Sequence, residues 1–273
     1  MSPRSQHLLV LIPAYNEQAA IRQVVSSVRA SVPDVDVLVV DDGSCDNTLR
    51  EAQAAGAFVV RHPFNLGIGA TVQTGLKFAQ QEDYDMVIRV DGDGQHNPAD
   101  VPMLISSLLA GQVDAAVGSR FLDNTGSMGI PFLRRLGIFT FALLVSVLTG
   151  RRATDTTSGF FALNRRAIAA LATYMPQDYP EVESRIVLHK AGLKTLELPT
   201  HMRGRLTGVS SIDCWRSIYY ALKVSVSVLI GAVKDVPRSP ADPASFTPGR
   251  IAGPRGRPNP SNLAKELAHA DTD

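Results

Sequence analysis

The stretch VIRVDGDGQHNPAD, residues 87–100, sets two aspartates, Asp91 and Asp93, at the end of an apolar run and just ahead of a helix-start signal. Two carboxylates at i and i+2 in an extended segment point the same way and can reach one hard cation. Gly92 and Gly94 allow close approach of ligand and backbone, and Gln95 offers a third polar contact. Four chemistries compete for this pattern. An EF-hand loop starting at Asp91 would want Gly at position 96 and Glu at 102; the chain has His96 and Pro102, so that reading fails. A phosphatase with an aspartate nucleophile also uses Asp-x-Asp after a strand, usually the first strand, whereas this is the fourth. Alternatively the aspartates only cap a turn, since Asp and Gly are common turn residues. The fourth reading is a divalent ion, Mg2+ or Mn2+, held by Asp91, Asp93 and Gln95 against a nucleotide diphosphate whose oxygens complete its shell.

The elements around the aspartates favour the fourth reading. His7–Ile12 reads as a buried strand, followed by a helix in which Ile21, Val24, Val25 and Val28 fall at i, i+3, i+4 and i+7. Val35–Val40 is a second strand, closed by Asp41-Asp42-Gly43-Ser44, and the next helix opens on Thr48-Leu49-Arg50-Glu51, a capping-box pattern. Ala57–Arg61, Asp85–Val90 and Asp114–Val117 are further strands, with a helix over Gly69–Gln81 and another starting at Asn97-Pro98. Such alternation predicts an α/β, Rossmann-like, mostly parallel sheet with helices on both faces. Ligands bind such sheets beyond the carboxyl ends of the strands. Three polar turns fall there: Pro13–Glu17, Asp41–Ser44 and Asp91–Gln95. Gly67-x-Gly69 invites a dinucleotide reading, but Val72 stands where a third glycine is needed; it reads as a tight turn before a helix, with Asn65 near the ligand.

Beyond residue 121 the regularity fades. Asn164–Thr173 and Val182–Ala191 read as helices and Leu193–Leu198 as a strand. Leu136–Thr149 and Ile218–Val233 are apolar segments of 14 and 16 residues. A spanning helix wants about 20 residues, so neither is expected to cross a bilayer; they are either interfacial helices or ordinary core helices, and the interfacial reading is the one favoured. Arg134, Arg135, Arg151, Arg152 and Arg216 would then sit at headgroup level, with Trp215, Tyr219 and Tyr220. Seven of the 17 prolines lie between 237 and 260, so 236–273 reads as a disordered Pro-rich tail, with a short helix over Leu263–Ala270. The domain plan is therefore 1–213 as the folded unit, 214–235 as an amphipathic C-terminal helix, and 236–273 as tail.

The totals bound the classes. Of 273 residues, 45% are apolar and 19% charged, enough apolar material for a sizeable core. A net charge of +1 argues against a nucleic-acid partner. Two cysteines, Cys45 and Cys214, form neither a zinc spacing nor a disulfide framework, which fits a reducing cytosol. The N-terminal apolar run meets Pro13, Asn16 and Glu17 at once and reads as a strand rather than a signal peptide.

Six segments, IPAYNE (12–17), VVDDGSCDNT (39–48), NLGIGA (65–70), VDGDGQHNP (90–98), GSRF (118–121) and TDTTSGFFALNRRA (154–167), together resemble family two glycosyltransferases of GT-A fold, and among them the dolichyl- or polyprenyl-phosphate sugar synthases. The resemblance covers about residues 7–213. It implies that Pro13, Tyr15 and Glu17 line a nucleotide and Asp42 contacts its base. It implies that Asp91, Asp93 and Gln95 hold metal and diphosphate, that Arg120 meets phosphate charge, and that Asp155 to Phe160 shape the acceptor side. The catalytic set would be Asp93, Arg120 and Asp155, acting on a nucleotide-diphosphate sugar with inversion. A looser match, HMRGRLTGVSS (201–211) with Arg203 and Arg205, stands where the subgroup carries a basic acceptor loop.

The acceptor decides the mechanism. A sugar hydroxyl needs a general base, for which Asp155, Glu181 and Glu183 are candidates, although Glu at a helix start also suits the helix dipole. A lipid phosphate is already an anion and needs only positioning. The apolar segments favour the lipid. The expectation is a peripheral enzyme at the cytoplasmic membrane face that uses a polyprenyl-phosphate acceptor. A membrane-protein partner or homodimer, and a hydroxyl acceptor or a non-catalytic binding role, stay open.

Overall fold

The computed structural model describes residues 6–122, 132–177, 179–202 and 236. A seven-stranded sheet forms among these residues, in the order β3-β2-β1-β4-β6-β5-β7. The strands are β1 (Leu8–Ala14), β2 (Asp36–Asp41), β3 (Phe58–Arg61), β4 (Met86–Arg89), β5 (Ala115–Ser119), β6 (Phe161–Asn164) and β7 (Thr195–Pro199). Helices α1 (Ile21–Ser31), α2 (Thr48–Ala54), α3 (Ile68–Gln81) and α4 (Val101–Leu109) alternate with the first five strands. Then come α5 (Phe132–Thr149), α6 (Arg165–Tyr174) and α7 (Pro180–Lys190). This is the mostly parallel α/β architecture that the alternation predicts.

Strand alternation explains the two-sided core. Leu9 and Leu11 of β1 pack on one face with Val72 and Leu76 of α3, Ile168 and Leu171 of α6, and Leu188 of α7. Val10 and Ile12 pack on the other with Val24 and Val28 of α1 and Leu104 of α4. Fully burying each such side chain is worth about 1.5–3 kcal/mol. At Gly75 an added Cβ would lie 2.2 Å from Leu11 Cδ1, so only glycine lets α3 come this close to β1.

Three features depart from the sequence reading. The sheet contains one antiparallel strand, β6, which pairs Ile88 with Ala162 and Val117 with Phe161. FALN is four residues long and runs straight into the Asn164 cap of α6, so periodicity had nothing to work on. Helix α5 has 18 residues, beginning four positions before the apolar run. The capping box at Thr48 does not form: Asp46 Oδ1 accepts the Thr48 N–H at 2.9 Å, and Glu51 pairs with Arg22 instead. The Arg203/Arg205 loop, the 214–235 helix and nearly all of 236–273 lie outside the described residues. Val236 is described and packs against the core that holds α3 and α6.

Candidate active site

Strands β1 to β4 aim their carboxyl ends at one cleft. β1 sits where the strand order reverses, with β2 and β3 on one side and β4 on the other. A crevice at that switch point is where an open α/β sheet binds ligand. The cleft has a volume of about 440 Å3 and is lined by Pro13, Tyr15, Glu17, Asp42, Asn65, Asp91 and Asp93, among others. All three polar turns contribute. Gly67, Ile68 and Thr71 bring the N-terminus of α3 to its wall.

Two of the turns are stitched together. Asn16, held at φ 57°, donates its N–H to Ser44 Oγ at 2.9 Å, and its Oδ1 accepts from Cys45 N at 2.9 Å. Glu17 N donates to Thr48 Oγ1 at 2.8 Å. Asn16 and Glu17, and Tyr15 beside them, are thus set by bonds to the loop after β2 and the start of α2, not by β1 alone. Asp42 in turn holds the next loop. Its Oδ1 accepts from His62 Nδ1 (2.7 Å) and Leu66 N (2.9 Å), and its Oδ2 from Gly67 N (2.9 Å).

The Asp91 turn is built differently from the extended pair the sequence suggested. β4 ends at Arg89, and Gly92 and Asp93 lie in a turn in which Asp93 Oδ1 accepts from Gln95 N at 3.0 Å. Both carboxylates still reach the cleft. Gln95 does not line it; its contribution is this backbone bond. Asp91 is shared with Arg89, whose Nε and Nη2 lie 3.1 and 3.0 Å from Oδ1. Arg89 is 2% exposed and also donates to Glu181 Oε1 at 2.9 Å. Its Nη1 is buried with no hydrogen-bond partner among the described residues. Burial works against charge on Asp91, yet Arg89 holds its carboxyl below the ordinary carboxylate range. His96 is buried, stacks on Phe160 at 4.9 Å between centroids, and accepts the Asp91 N–H at Nδ1 (3.0 Å). Burial lowers its pKa below the ordinary imidazole value, which suits an acceptor nitrogen.

Arg120 and Asp155 do not line the cleft; they satisfy each other beside it. Asp155 is fully buried, with Oδ2 2.6 Å from Arg120 Nε and Oδ1 2.7 Å from Nη2. Burial again opposes the charge, and Arg120 still holds the Asp155 carboxyl below its ordinary range. Arg185 donates to Asp155 O and to Glu197 Oε1, both at 2.6 Å, and Glu197 accepts from Thr154 N at 2.9 Å. This network from β5, α7 and β7 fixes residues 154–159 against the cleft floor. A Cβ on Gly159 would lie 2.8 Å from both Arg89 Nη2 and Asp91 Oδ2.

Sequence reasoning missed Arg89, His62, His96 and Arg185. Arg89 carried a signal: a guanidinium inside an apolar strand is seldom buried unless paired. The two histidines carried none, because their partners are 20 residues away or are backbone groups. Among the described residues no cluster of three or more His, Cys, Asp or Glu could hold a metal. A cation at Asp91 and Asp93 would therefore draw most of its ligands from elsewhere, as Mg2+ does with phosphate oxygens and water. The paired carboxylates fit such an ion.

Residues 9–171 match the model of glycosyl transferase family 2. A UDP-N-acetylglucosamine–dolichyl-phosphate N-acetylglucosaminyltransferase from Methanococcus voltae is 28% identical over 211 residues, covering 70% of this chain and 84% of that protein. A polyprenol monophosphomannose synthase from Mycolicibacterium smegmatis is 28% identical over 224 residues, covering 77% and 82%. The crystal structure of glucosyl-3-phosphoglycerate synthase from Mycobacterium tuberculosis, in complex with Mn2+, UDP and glucosyl-3-phosphoglycerate, superposes with a TM-score of 0.64 at 21% identity, covering 85% of this chain and 82% of that one. At that identity the likeness speaks for the fold.

Proposed function

The chain belongs to glycosyl transferase family 2, and from that premise we propose that it moves a sugar from a nucleotide diphosphate sugar to a polyprenyl phosphate at a membrane surface, with inversion. The observation that carries the acceptor is the state of the base candidates. Asp155 is enclosed by Arg120 and Glu181 is engaged by Arg89. A sugar hydroxyl must lose a proton during attack; a phosphate oxygen need not. With Asp155 and Glu181, two of the three base candidates, engaged by arginines, the site suits the acceptor that arrives already ionised. Relatives named for dolichyl-phosphate and polyprenol substrates support the same choice.

In this reading an oxygen of the acceptor phosphate attacks the anomeric carbon, the bond from that carbon to the diphosphate breaks, and the nucleoside diphosphate leaves with the electron pair. Bound Mg2+ or Mn2+ supplies positive charge where the diphosphate charge grows. Asp91 and Asp93 would hold that ion, the Asp93 carboxylate fixed by the Gln95 N–H and Asp91 by Arg89 and, at its backbone N–H, by His96. Arg89 also lines the cleft, where its guanidinium brings positive charge beside Asp91. Pro13, Tyr15 and Glu17 line the nucleotide, with Asp42 and Asn65 at its base end. Arg120 and Asp155 act by fixing residues 154–159 on the acceptor side.

The membrane contact falls to α5. Among the described residues no helix is long and apolar enough to cross a bilayer. However, Phe139, Leu143 and Val147, four residues apart, are 67%, 56% and 72% exposed while Phe141 and Val145 pack on Val182 and Ile186 of α7. One face of α5 serves the fold and the other presents an apolar stripe, with Arg151 and Arg152 just past its end.

The test is transfer of labelled sugar to polyprenyl phosphate, with polyprenol of equal length as comparison. Label that follows the phosphate into the organic phase is expected. Transfer to polyprenol, or to a water-soluble glycan alone, overturns the acceptor.

A further inference from the structure

The donor base is legible in the hydrogen-bond capacity of Asp42. A carboxylate has about four lone-pair positions, two on each oxygen. On Asp42 three are filled from within the protein. His62 Nδ1 and Leu66 N occupy both positions on Oδ1, and Gly67 N occupies one on Oδ2. Facing a carboxylate, which only accepts, His62 Nδ1 must be the donor. His62 is buried, and its other nitrogen lies 2.9 Å from Thr74 Oγ1 on α3, so the ring cannot swing away without breaking a second bond. Asp42 is itself buried and lines the cleft. One acceptor position on Oδ2 is left for a ligand.

We infer that the cleft selects a nucleobase that offers a single N–H, as uracil does at N3, over guanine. Guanine presents N1–H and N2–H side by side, a fork that uses both oxygens of a carboxylate. Here Oδ1 could accept only by giving up His62 or Leu66, which would leave a buried donor unpaired. His62 is thus a positioning residue. It does not touch the nucleotide, and it sets specificity by filling the oxygen that guanine would need. The inference rests on reading the cleft as the sugar-nucleotide donor site.

Isothermal titration of the full chain with UDP and with GDP, each in Mn2+, tests it. UDP is expected to bind about tenfold or more tightly than GDP, the fold-change of one unmade buried hydrogen bond. His62→Ala frees the Oδ1 position and should bring the two affinities within about threefold of one another. His62→Asn, which restores an N–H donor at the Nδ1 place, should recover the preference. Equal or tighter binding of GDP by the wild-type chain overturns the inference. So does an unchanged ratio in a folded His62→Ala protein, since a merely structural histidine would weaken both nucleotides alike. If neither nucleotide binds the wild-type chain, the donor-site reading itself fails and takes this inference with it.

Discussion

Replacing Arg120 with Met removes the main partner of a carboxylate that has no access to water. Asp155 is fully buried, and Arg120 supplies two side-chain bonds at 2.6 and 2.7 Å and a backbone N–H at 3.1 Å. Arg185 reaches the Asp155 carbonyl rather than its carboxylate. The substitution keeps much of the apolar stem volume and deletes the charge. Breaking a buried pair from one side typically costs about 3–5 kcal/mol. For a chain of this size each kcal/mol moves the melting point by about 2–4 °C, so a drop of about 6–20 °C is expected. The loss has a pH signature. In the wild-type protein the folded Asp155 pKa is lowered below its unfolded value near 4, so the pair contributes fully above about pH 4 and its contribution fades as pH falls through the lowered folded value. Without Arg120, burial prevails and the folded pKa rises instead. The variant then carries an uncompensated charge at pH 7 that protonation relieves on acidification. Melts followed by circular dichroism at pH 5, 6, 7 and 8 should show the gap between the two proteins widest at pH 7–8 and narrower at pH 5. A gap below about 1 kcal/mol that does not change with pH would refute the reasoning.

Other substitutions probe separate parts of the account. Gly159→Ala places a methyl 2.8 Å from Arg89 Nη2 and Asp91 Oδ2, and should cut transfer at least tenfold while the melting point falls by only a few degrees; unimpaired turnover would show that this contact does not shape the site. Gly75→Val drives a side chain into Leu11 and should cost about 1–3 kcal/mol by overpacking, read from urea midpoints with an unchanged m-value. Leu143→Glu lies on the exposed stripe of α5 and should leave the unfolding free energy within about 0.5 kcal/mol of wild type but abolish co-sedimentation with anionic vesicles. Retained sedimentation would remove α5 from the membrane contact.

The strand–helix alternation, and with it the place of the site, was open to reading because periodicity and turn chemistry are local. Each of the turns after β1, β2 and β4 announced itself by polar residues behind an apolar run, and seven of the ten predicted site residues line one cleft: Pro13, Tyr15, Glu17, Asp42, Asn65, Asp91 and Asp93. Gln95, Arg120 and Asp155 do not line it. Which charges neutralise each other is not local. Arg120 and Asp155 are 35 residues apart in sequence, and Arg185 meets Glu197 only because α7 packs beside β7. For the same reason Asp42 announced an acceptor, while the three donors that nearly saturate it come from a loop some 20 residues downstream. The short antiparallel β6 escaped for want of length.

The most direct measurement of the central claim, that the cleft holds a nucleotide diphosphate through a divalent ion at Asp91 and Asp93, is a thermal-shift series with nucleoside diphosphates, with and without Mn2+, on the wild-type chain and on Asp93→Asn. Ligand at 100 times its dissociation constant adds about 2.7 kcal/mol of stability, which such a melt resolves readily. The account predicts a shift that requires both nucleotide and Mn2+ and vanishes in Asp93→Asn. A shift of the same size without metal, or one that survives in Asp93→Asn, would contradict it.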